Sequence, residues 1–332
     1  YQHPAEQLAD TMRRLYTYGL TTTSGGNLSI RDSQGIVWIT PGGVDKGSLV
    51  PEDIISIDPD GTVSGRHASS LETAFHLGIY QAREDVRAVV HAHAPATSAF
   101  CISGKVPDTA LIPQAALECG KAVLSGYAMP GSIQLSDKVS CQAGYGYNSI
   151  LLNHHGTVTL GSSMLQALQR FEALDVCADT QLLSTCLGPF QSSDEDQLRL
   201  LISRLSEAEG TIVSDTAYPR QRALLAETAR RAYRRRLMTS TMGSLSMRVG
   251  KGAFLITPLG KDRLNLSAED IVLVTEQGVE EGKQPDLWMF LHREAYRDNS
   301  ETASIMTALP PAAMAYAVTA TVFDARMLTE AY

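Results

Sequence analysis

In the first half of the chain, segments whose apolar residues recur with the period of a helix alternate with segments that have the period of a strand. Apolar residues recur at helical spacing over Ala5–Tyr18, and Gly19 marks the end of this predicted helix. Alternation predicts paired strands over Leu28–Arg31 and Val37–Thr40. Further apolar segments predict three strands and two helices, at Ile54–Asp58, Ala88–His93 and Ser149–His155, and at Leu71–Ala82 and Ser163–Leu183. This mixture predicts an α/β fold, a three-layer arrangement of the α+β type with helices flanking a central, mainly antiparallel sheet.

The same pattern occurs twice along the chain. Leu8-Ala9-Asp10-Thr11 aligns with Leu225-Ala226-Glu227-Thr228, and Ile39-Thr40-Pro41 aligns with Ile256-Thr257-Pro258, both at an offset of 217 residues. Matches that recur at one offset indicate two copies of one domain. We therefore predict a complete first domain over residues 1–190, a linker over 191–220 with a short helix near Leu198–Ala208, and an incomplete, degenerate second copy over 221–332.

Charge and cysteine usage exclude several classes of protein. The net charge of −8 argues against nucleic acid as a partner, and the cluster Arg230–Arg236 fits a solvated helix face or a subunit contact better. The five cysteines are odd in number and lack metal-site spacing, which favours a reducing, cytoplasmic location without disulfides. Neither a signal peptide nor an apolar run of about eighteen residues is recognisable, so we expect no membrane segment.

The candidate chemistry centres on histidines. His91 and His93 are two residues apart on a predicted strand, and such side chains point to the same face. Alone, the pair is also typical of hydrogen-bonded residues at a strand end. His155 could complete a set of three imidazoles, and Glu72 is the natural fourth group, as a ligand, a general base or both. Three nitrogens and one carboxylate suit Zn²⁺, with Mn²⁺, Fe²⁺ and Co²⁺ as alternatives. His154, on the opposite strand face, is expected to be a structural or supporting residue that does not bind the same ion as His155.

Three loops rich in glycine and hydroxyl groups precede predicted elements. They are Thr21–Asn27, Thr40–Gly43 and Ser69-Ser70. Backbone N–H groups at glycines, together with hydroxyls and an Asn amide, can bind an anion. Each loop alone is typical of an ordinary turn, but together they predict a pocket for phosphate or carboxylate. The chain has neither a Walker sequence nor GxGxxG, so a nucleotide pocket is not predicted.

Five motifs in order carry a resemblance to the class II aldolase/adducin family. They are Ser24–Ser29, Thr40–Gly43, Ser70–His76, Val90–His93 and Asn153–Gly156. The resemblance covers nearly all of residues 1–187 and, more weakly, 221–332. It implies an antiparallel sheet flanked by helices and a fourfold tetramer with sites between subunits. It further implies Zn²⁺ on His91, His93, His155 and Glu72, proton transfer by Glu72, and a substrate phosphate held at Ser24, Asn27, Gly43 and Ser70.

The activity implied is a metal-dependent aldolase, an aldehyde-lyase that cleaves a small sugar or sugar phosphate through a Zn-stabilised enediolate. Two departures keep alternatives open: Leu71 replaces the second serine of the aldolase loop, and Leu111–Gln114 lacks the catalytic tyrosine. An epimerase, a dehydratase or a decarboxylase would use the same chemistry. Tyr127, Gln134 and Tyr145 are candidates to line the pocket. A non-catalytic adducin-like interaction module and a metal-bound sensor are alternatives of other classes.

The second copy is expected to lack a metal site. In the alignment, His91 and His93 correspond to Thr307 and Leu309, Glu72 to Trp288, and Asn27 to Ser244. We therefore predict a non-catalytic second copy that serves as a built-in partner. The chain is expected to form a homo-oligomer, either a dimer of two-domain chains or a tetramer.

Overall fold

The computed structural model of the chain describes residues 2–205, 210–212 and 217–327, which belong to two units. One unit takes in Tyr1–Ser192 and Ala315–Tyr332, and the other takes in Ser193–Met314. The domain limits 1–190, 191–220 and 221–332 follow the sequence repeat and stay our proposal. The helix predicted near Leu198–Ala208 runs over Glu195–Leu205, and the remainder of that prediction lies outside the described residues.

The first unit is built on an eight-stranded sheet in the order β4-β3-β2-β1-β5-β8-β7-β6. All neighbouring strands are antiparallel except β6 and β7, so the predicted fold class is confirmed. The strands are β1 (Asn27–Arg31), β2 (Val37–Ile39), β3 (Ile55–Ile57), β4 (Val63–Ser64), β5 (Ala88–Ala92), β6 (Val123–Ser125), β7 (Ser149–Leu152) and β8 (Thr157–Gly161).

Helices cover both faces of this sheet. They are α1 (Pro4–Thr17), α2 (Thr73–Ala82), α3 (Pro95–Ser103), α4 (Pro113–Cys119), α5 (Ile133–Gly144) and α6 (Met164–Ser184). Met12 of α1 and Phe171 of α6 share one buried cluster with Val90 of β5. Phe75 of α2 belongs to a second cluster, which contains Val89. Because adjacent strand residues point to opposite faces, β5 contributes to both cores, and three layers result.

The elements that carry the candidate site are shorter than their sequence patterns predicted. Strand β5 ends at Ala92, so His93 follows the strand, and β7 ends at Leu152, three residues before His155. A tight turn replaces the end of β7, because the N–H of His155 bonds to the carbonyl of Leu152 at 3.0 Å. Helix α2 begins at Thr73 rather than at residue 71, and Glu72 is its N-cap.

The second unit has a six-stranded sheet in the order β14-β10-β11-β12-β13-β9. Only β13 and β9 pair in parallel. Its elements and the helix that follows are α7 (Glu195–Leu205), β9 (Thr211–Ile212), α8 (Pro219–Arg234), β10 (Ser244–Gly250), β11 (Ala253–Ile256), β12 (Val272–Thr275), β13 (Gly278–Glu280), α9 (Met289–Asp298), β14 (Ser304–Thr307) and α10 (Pro311–Thr319).

Strand register repeats the sequence alignment of the two copies. Ser244 of β10 lies opposite Thr307 of β14, as Asn27 of β1 lies opposite His91 of β5. Strands β10 to β14 therefore correspond to β1 to β5. In the described part of the chain, β14 pairs only with β10, whereas β5 also pairs with β8. No helix among the described residues is long and apolar enough to cross a bilayer.

Candidate metal centre and anion pocket

Three histidines converge where β5 ends and the β7–β8 turn begins. His91, His93 and His155 each offer one ring nitrogen, and these nitrogens all lie within 4.8 Å of one another. The Nδ1 of His91 lies 3.0 Å from the carbonyl of Thr157, to which it donates, so Nε2 is the ring nitrogen that faces the cluster. The Nε2 of His93 is 3.2 Å from the Nε2 of His91. The histidines predicted as ligands are therefore together.

Two glycines of the motifs make room for this cluster. A Cβ on Gly25 would lie 2.6 Å from the Nδ1 of His93, closer than van der Waals contact allows. A Cβ on Gly156 would overlap the Cδ2 of His93 and lie 2.9 Å from the carbonyl of Ala92. Any side chain at either position would displace His93, which explains why glycine stands in both motifs.

Glu72 completes the group from the opposite side. Its Oε2 lies 3.3 Å from the Nε2 of His91, and its Oε1 lies 3.3 Å from the Nε2 of His155. Asn27 donates a hydrogen bond of 2.7 Å to Oε2. Oε1 is buried and accepts no hydrogen bond in the structure. The carboxylate thus spans two imidazoles with one oxygen held and the other available.

Burial and mutual repulsion set the ionisation of these groups. Burial, reinforced by the charges of neighbouring histidines, lowers the pKa of His93 to about 3. Burial and the nearby His91 lower the pKa of His155 to about 4. Burial opposes ionisation of Glu72, but His91, His155 and the bond from Asn27 outweigh it and hold its pKa well below the ordinary value. His93 and His155 are therefore neutral beside an ionised Glu72 carboxylate.

These residues fit a divalent cation. Imidazole nitrogens and a carboxylate oxygen are electron-pair donors of the kind that divalent metal ions bind. The buried Oε1 of Glu72, which has no hydrogen-bond partner, is the atom that such an ion would satisfy. His91, His93 and His155 would hold the ion, with Glu72 beside it.

A buried chain of hydrogen bonds behind the cluster was not assigned from the sequence. The Nε2 of His76 donates to the Oδ1 of Asn27 at 2.5 Å, since the Asn27 amide is already donating to Glu72. Ser29 bridges the Nδ1 of His76 and the hydroxyl of Tyr80, each at 2.7 Å. Burial lowers the pKa of His76 to about 3, so it is neutral. Its recurrence in the repeat, as His292, is the sequence signal for this chain.

The three predicted anion loops meet around Ser70. Asn27 donates to the hydroxyl of Ser70 at 3.1 Å, and the N–H of Gly42 bonds to the carbonyl of Ala68 at 3.2 Å. Ser24 and Gly43 lie exposed in their loops, and no bond between either of them and Ser70 is described. Asn27 therefore supports Glu72 as well as the pocket, a double role that the loop pattern did not reveal.

Among the pocket candidates, one tyrosine lies beside the histidine motif. The ring of Tyr127 packs edge-on against His154, with 6.1 Å between ring centroids. His154 itself is exposed and has a positive φ of 59°, so its turn conformation rather than strand alternation turns it from the cluster. Gln134 and Tyr145 are exposed. Leu111 and Ile112, which belong to the stretch Leu111–Gln114 where the resemblance leads us to expect a tyrosine, are buried.

The second unit keeps the buried hydrogen-bond chain of serine, histidine and tyrosine but lacks the metal-binding histidines. His292 contacts Ser244 at 2.8 Å and Ser246 at 2.6 Å, and Ser246 contacts the hydroxyl of Tyr296 at 2.7 Å. Thr307 occupies the place of His91 and bonds Ser244 at 2.7 Å. Within the described residues of this unit, no group of three metal-binding side chains is found.

The site geometry agrees with a comparison of the whole chain with known families. Residues 6–182 and 223–331 both match the model of the class II aldolase and adducin N-terminal domain. The chain belongs to this family. The two matched segments agree with the two copies recognised from the repeat. In the class II aldolase and adducin family, metal dependence is typical, and the three-histidine cluster of this member could bind such a metal.

Several class II aldolase relatives are enzymes that act on sugar phosphates. An L-fuculose phosphate aldolase of Methanococcus maripaludis is 36% identical over 171 residues, which is 50% of this chain and 89% of the relative. A 3-oxo-tetronate 4-phosphate decarboxylase of Haemophilus influenzae is 32% identical over 177 residues, 52% of this chain and 84% of the relative. A solved L-fuculose 1-phosphate aldolase superposes with a TM-score of 0.55 and 27% identity, covering 61% of this chain and 96% of that one.

Proposed function

We propose that the first domain is a metal-dependent aldolase that cleaves a small sugar phosphate by a retro-aldol reaction. The convergence of His91, His93 and His155 beside the carboxylate of Glu72 carries this proposal. The anion loops around Ser70 lie next to this cluster, because Asn27 bonds both Ser70 and Glu72. A phosphorylated end would be held there while the reacting carbons lie at the cluster.

The chain's own residues supply orientation and proton transfer in this mechanism. A bound divalent cation, for which we propose Zn²⁺, would supply Lewis-acid stabilisation of the enediolate charge. Glu72 is ionised and can accept the substrate hydroxyl proton at Oε1, while Asn27 keeps Oε2 fixed. His76 orients Asn27 through its bond to Oδ1. The fold thereby presents one basic atom in a set direction.

Metal content tests the first part of the proposal. We expect about one divalent ion per chain, by elemental analysis of protein purified from metal-supplemented culture. His155→Ala should lose this ion, whereas the neighbouring, exposed His154→Ala should retain it. A folded protein that binds no metal at these residues would favour a non-catalytic, adducin-like interaction module.

Product analysis separates the reactions that share this chemistry. An aldolase releases an aldehyde from a ketose phosphate, whereas a decarboxylase releases CO₂ from a keto-acid phosphate. The decarboxylase is our second candidate, because a relative of that name is 32% identical and because the stretch Leu111–Gln114 lacks the tyrosine expected of an aldolase. Incubation of both substrate classes with wild type and His91→Ala decides between them. An epimerase or dehydratase would yield neither product.

Several properties of the whole protein belong to the same proposal. We propose that only the first copy is catalytic and that the second copy is a built-in partner, in a dimer of two-domain chains or a tetramer. Light scattering on the purified chain distinguishes these assemblies. We further propose a cytoplasmic enzyme that binds a small sugar phosphate rather than nucleic acid.

A further inference from the structure

A lysine that no motif includes is buried beside the anion pocket. Lys46 is 1% exposed, and its Nζ donates to the carbonyl of Pro41 at 2.6 Å. An ammonium group has three donors, and a single neutral acceptor leaves its charge uncompensated. No carboxylate within ion-pair distance of Lys46 is described among residues 2–205, 210–212 and 217–327. Burial correspondingly lowers its pKa.

The second copy has an arginine in the equivalent position. Arg263 is fully buried, and its Nη1 donates to the carbonyl of Pro258 at 2.7 Å, as Lys46 donates to Pro41. The backbones match as well: the N–H of Lys46 bonds to Thr23 at 2.9 Å, and the N–H of Arg263 bonds to Ser240 at 2.8 Å. Each cation therefore occupies the equivalent place between the equivalent two loops of its own copy.

The residue facing this cation differs between the copies. Asp286 corresponds to Ser70, because each side chain accepts from the backbone N–H two residues later, at 3.0 Å from Trp288 and 3.3 Å from Glu72. The other oxygen of Asp286 lies 2.7 Å from the Nη2 of Arg263, in an ion pair whose side chains are fully buried. The second copy therefore fills its own pocket with a carboxylate.

We infer that Lys46 is the buried counter-charge for the substrate oxyanion, and that Asp286 imitates this anion in the second copy. Ser70 is too short to supply the oxygen that Asp286 places against the cation. Through the exposed loops of Ser24 and Gly43, a phosphate from solvent can supply that oxygen instead. Lys46 is thus a specificity-determining residue for an anionic substrate, and the second copy binds no anion at this place. This inference rests on the proposed function for the identity of the substrate.

Inorganic phosphate and acetate are the probes, with the full metal-free chain and isothermal titration calorimetry. The key variant is Ser70→Asp, which installs the carboxylate of the second copy, and Ser70→Asn is its neutral control of equal size. We expect Ser70→Asp to weaken phosphate binding about 10- to 100-fold relative to Ser70→Asn, the range expected for one charge-assisted hydrogen bond. Lys46→Met should weaken it similarly, and Lys46→Arg should retain binding. Tighter binding of acetate than phosphate would identify a carboxylate substrate.

Thermal stability gives a second readout that needs no ligand. Ser70→Asp should raise Tm above that of Ser70→Asn, because a carboxylate neutralises the buried ammonium, and this gain should vanish when Lys46 is also changed to Met. If Lys46→Met fails to fold, the comparison of Ser70→Asp with Ser70→Asn still tests the inference. Equal phosphate affinity in Ser70→Asp and Ser70→Asn, or no binding to wild type, overturns the inference. Absence of metal or turnover in a protein that binds phosphate through Lys46 would instead refute only the proposed function.

Discussion

The side-chain amide of Asn27 lies 2.7 Å from the Oε2 of Glu72 and leaves the Oε1 of the same carboxylate without a hydrogen bond. One oxygen is thereby fixed and the other faces the histidines. A general base with a fixed second oxygen loses little freedom on substrate binding, so the proposed proton transfer starts from an oriented group.

Glu72→Gln should abolish proton transfer while the pocket keeps its shape. We expect kcat to fall by about 10²- to 10⁴-fold, the usual contribution of a positioned acid or base. Glu118→Gln is the matched control, because Glu118 also accepts a hydrogen bond from a side-chain amide, that of Gln169. Steady-state kinetics of both metal-loaded variants provide the measurement. Comparable kcat values in the two variants would remove Glu72 from the mechanism.

Gly156→Ala should expel His93 from the cluster without unfolding the domain. The new Cβ would overlap the His93 ring, so the metal content should fall well below that of wild type. Gly144→Ala is the control, because its Cβ would meet only the Cβ of Ala82, at 4.0 Å. Elemental analysis and circular dichroism of both variants test this. Retention of a full metal complement in Gly156→Ala would show that His93 is dispensable as a ligand.

Ser29→Ala and Ser246→Ala should lower the free energy of unfolding by similar amounts if the buried hydrogen-bond chain stabilises both copies. Each change leaves a histidine nitrogen and a tyrosine hydroxyl buried without their partner. We expect a loss of about 1–3 kcal/mol of unfolding free energy in each case. Urea denaturation monitors the first copy through Trp38 and the second through Trp288. A loss in Ser29→Ala alone, with Ser246→Ala as stable as wild type, would contradict this shared role, and a catalytic defect beyond the loss of folded protein would show that the chain also positions Asn27 through His76.

The contribution of His292 to the stability of the second unit should decline in mild acid. Burial lowers the pKa of His292 from 6.5 to about 4, so the unfolded chain binds this proton more readily than the folded unit. The stabilisation is complete above pH 6.5 and is lost as pH falls toward 4, by about 3 kcal/mol in total. Urea midpoints of a Trp38→Phe variant, followed by Trp288 fluorescence, measure this slope. His292→Gln should flatten the profile, and parallel profiles for the two proteins would refute the assignment.

The sequence revealed the layers of the fold because apolar periodicity records burial directly. Strand ends were less predictable: the predicted strand Ser149–His155 continues through Asn153 and His154, but backbone bonds between Leu152, His155 and Gly156 close a turn there. The pairing of His91 with His93 was predicted from strand alternation, and the two do lie together, although β5 ends at Ala92 and His93 follows the strand.

Long-range contacts were beyond the reach of local patterns. Asn27 and Glu72 are 45 residues apart, and only the β1–β5 pairing together with the start of α2 brings them within hydrogen-bond distance. The sequence did not indicate that Lys46 is buried, because a lysine in a loop is ordinarily solvated and its burial depends on how two loops pack. The comparison of the two copies, position by position, is what makes its role visible.

The buried hydrogen-bond chain of serine, histidine and tyrosine occurs in both copies, so the effects of selection on the two copies can be compared within one protein. On our proposal that the second copy is non-catalytic, turnover places no demand on the positions that correspond to Asn27, His91 and Glu72, and these positions hold Ser244, Thr307 and Trp288. Positions needed for folding could not drift below the stability threshold, and His292, Ser246 and Tyr296 remain. Mutational scanning of both copies in one polypeptide would therefore identify the positions needed for catalysis, as those that tolerate substitution in the second copy and not in the first.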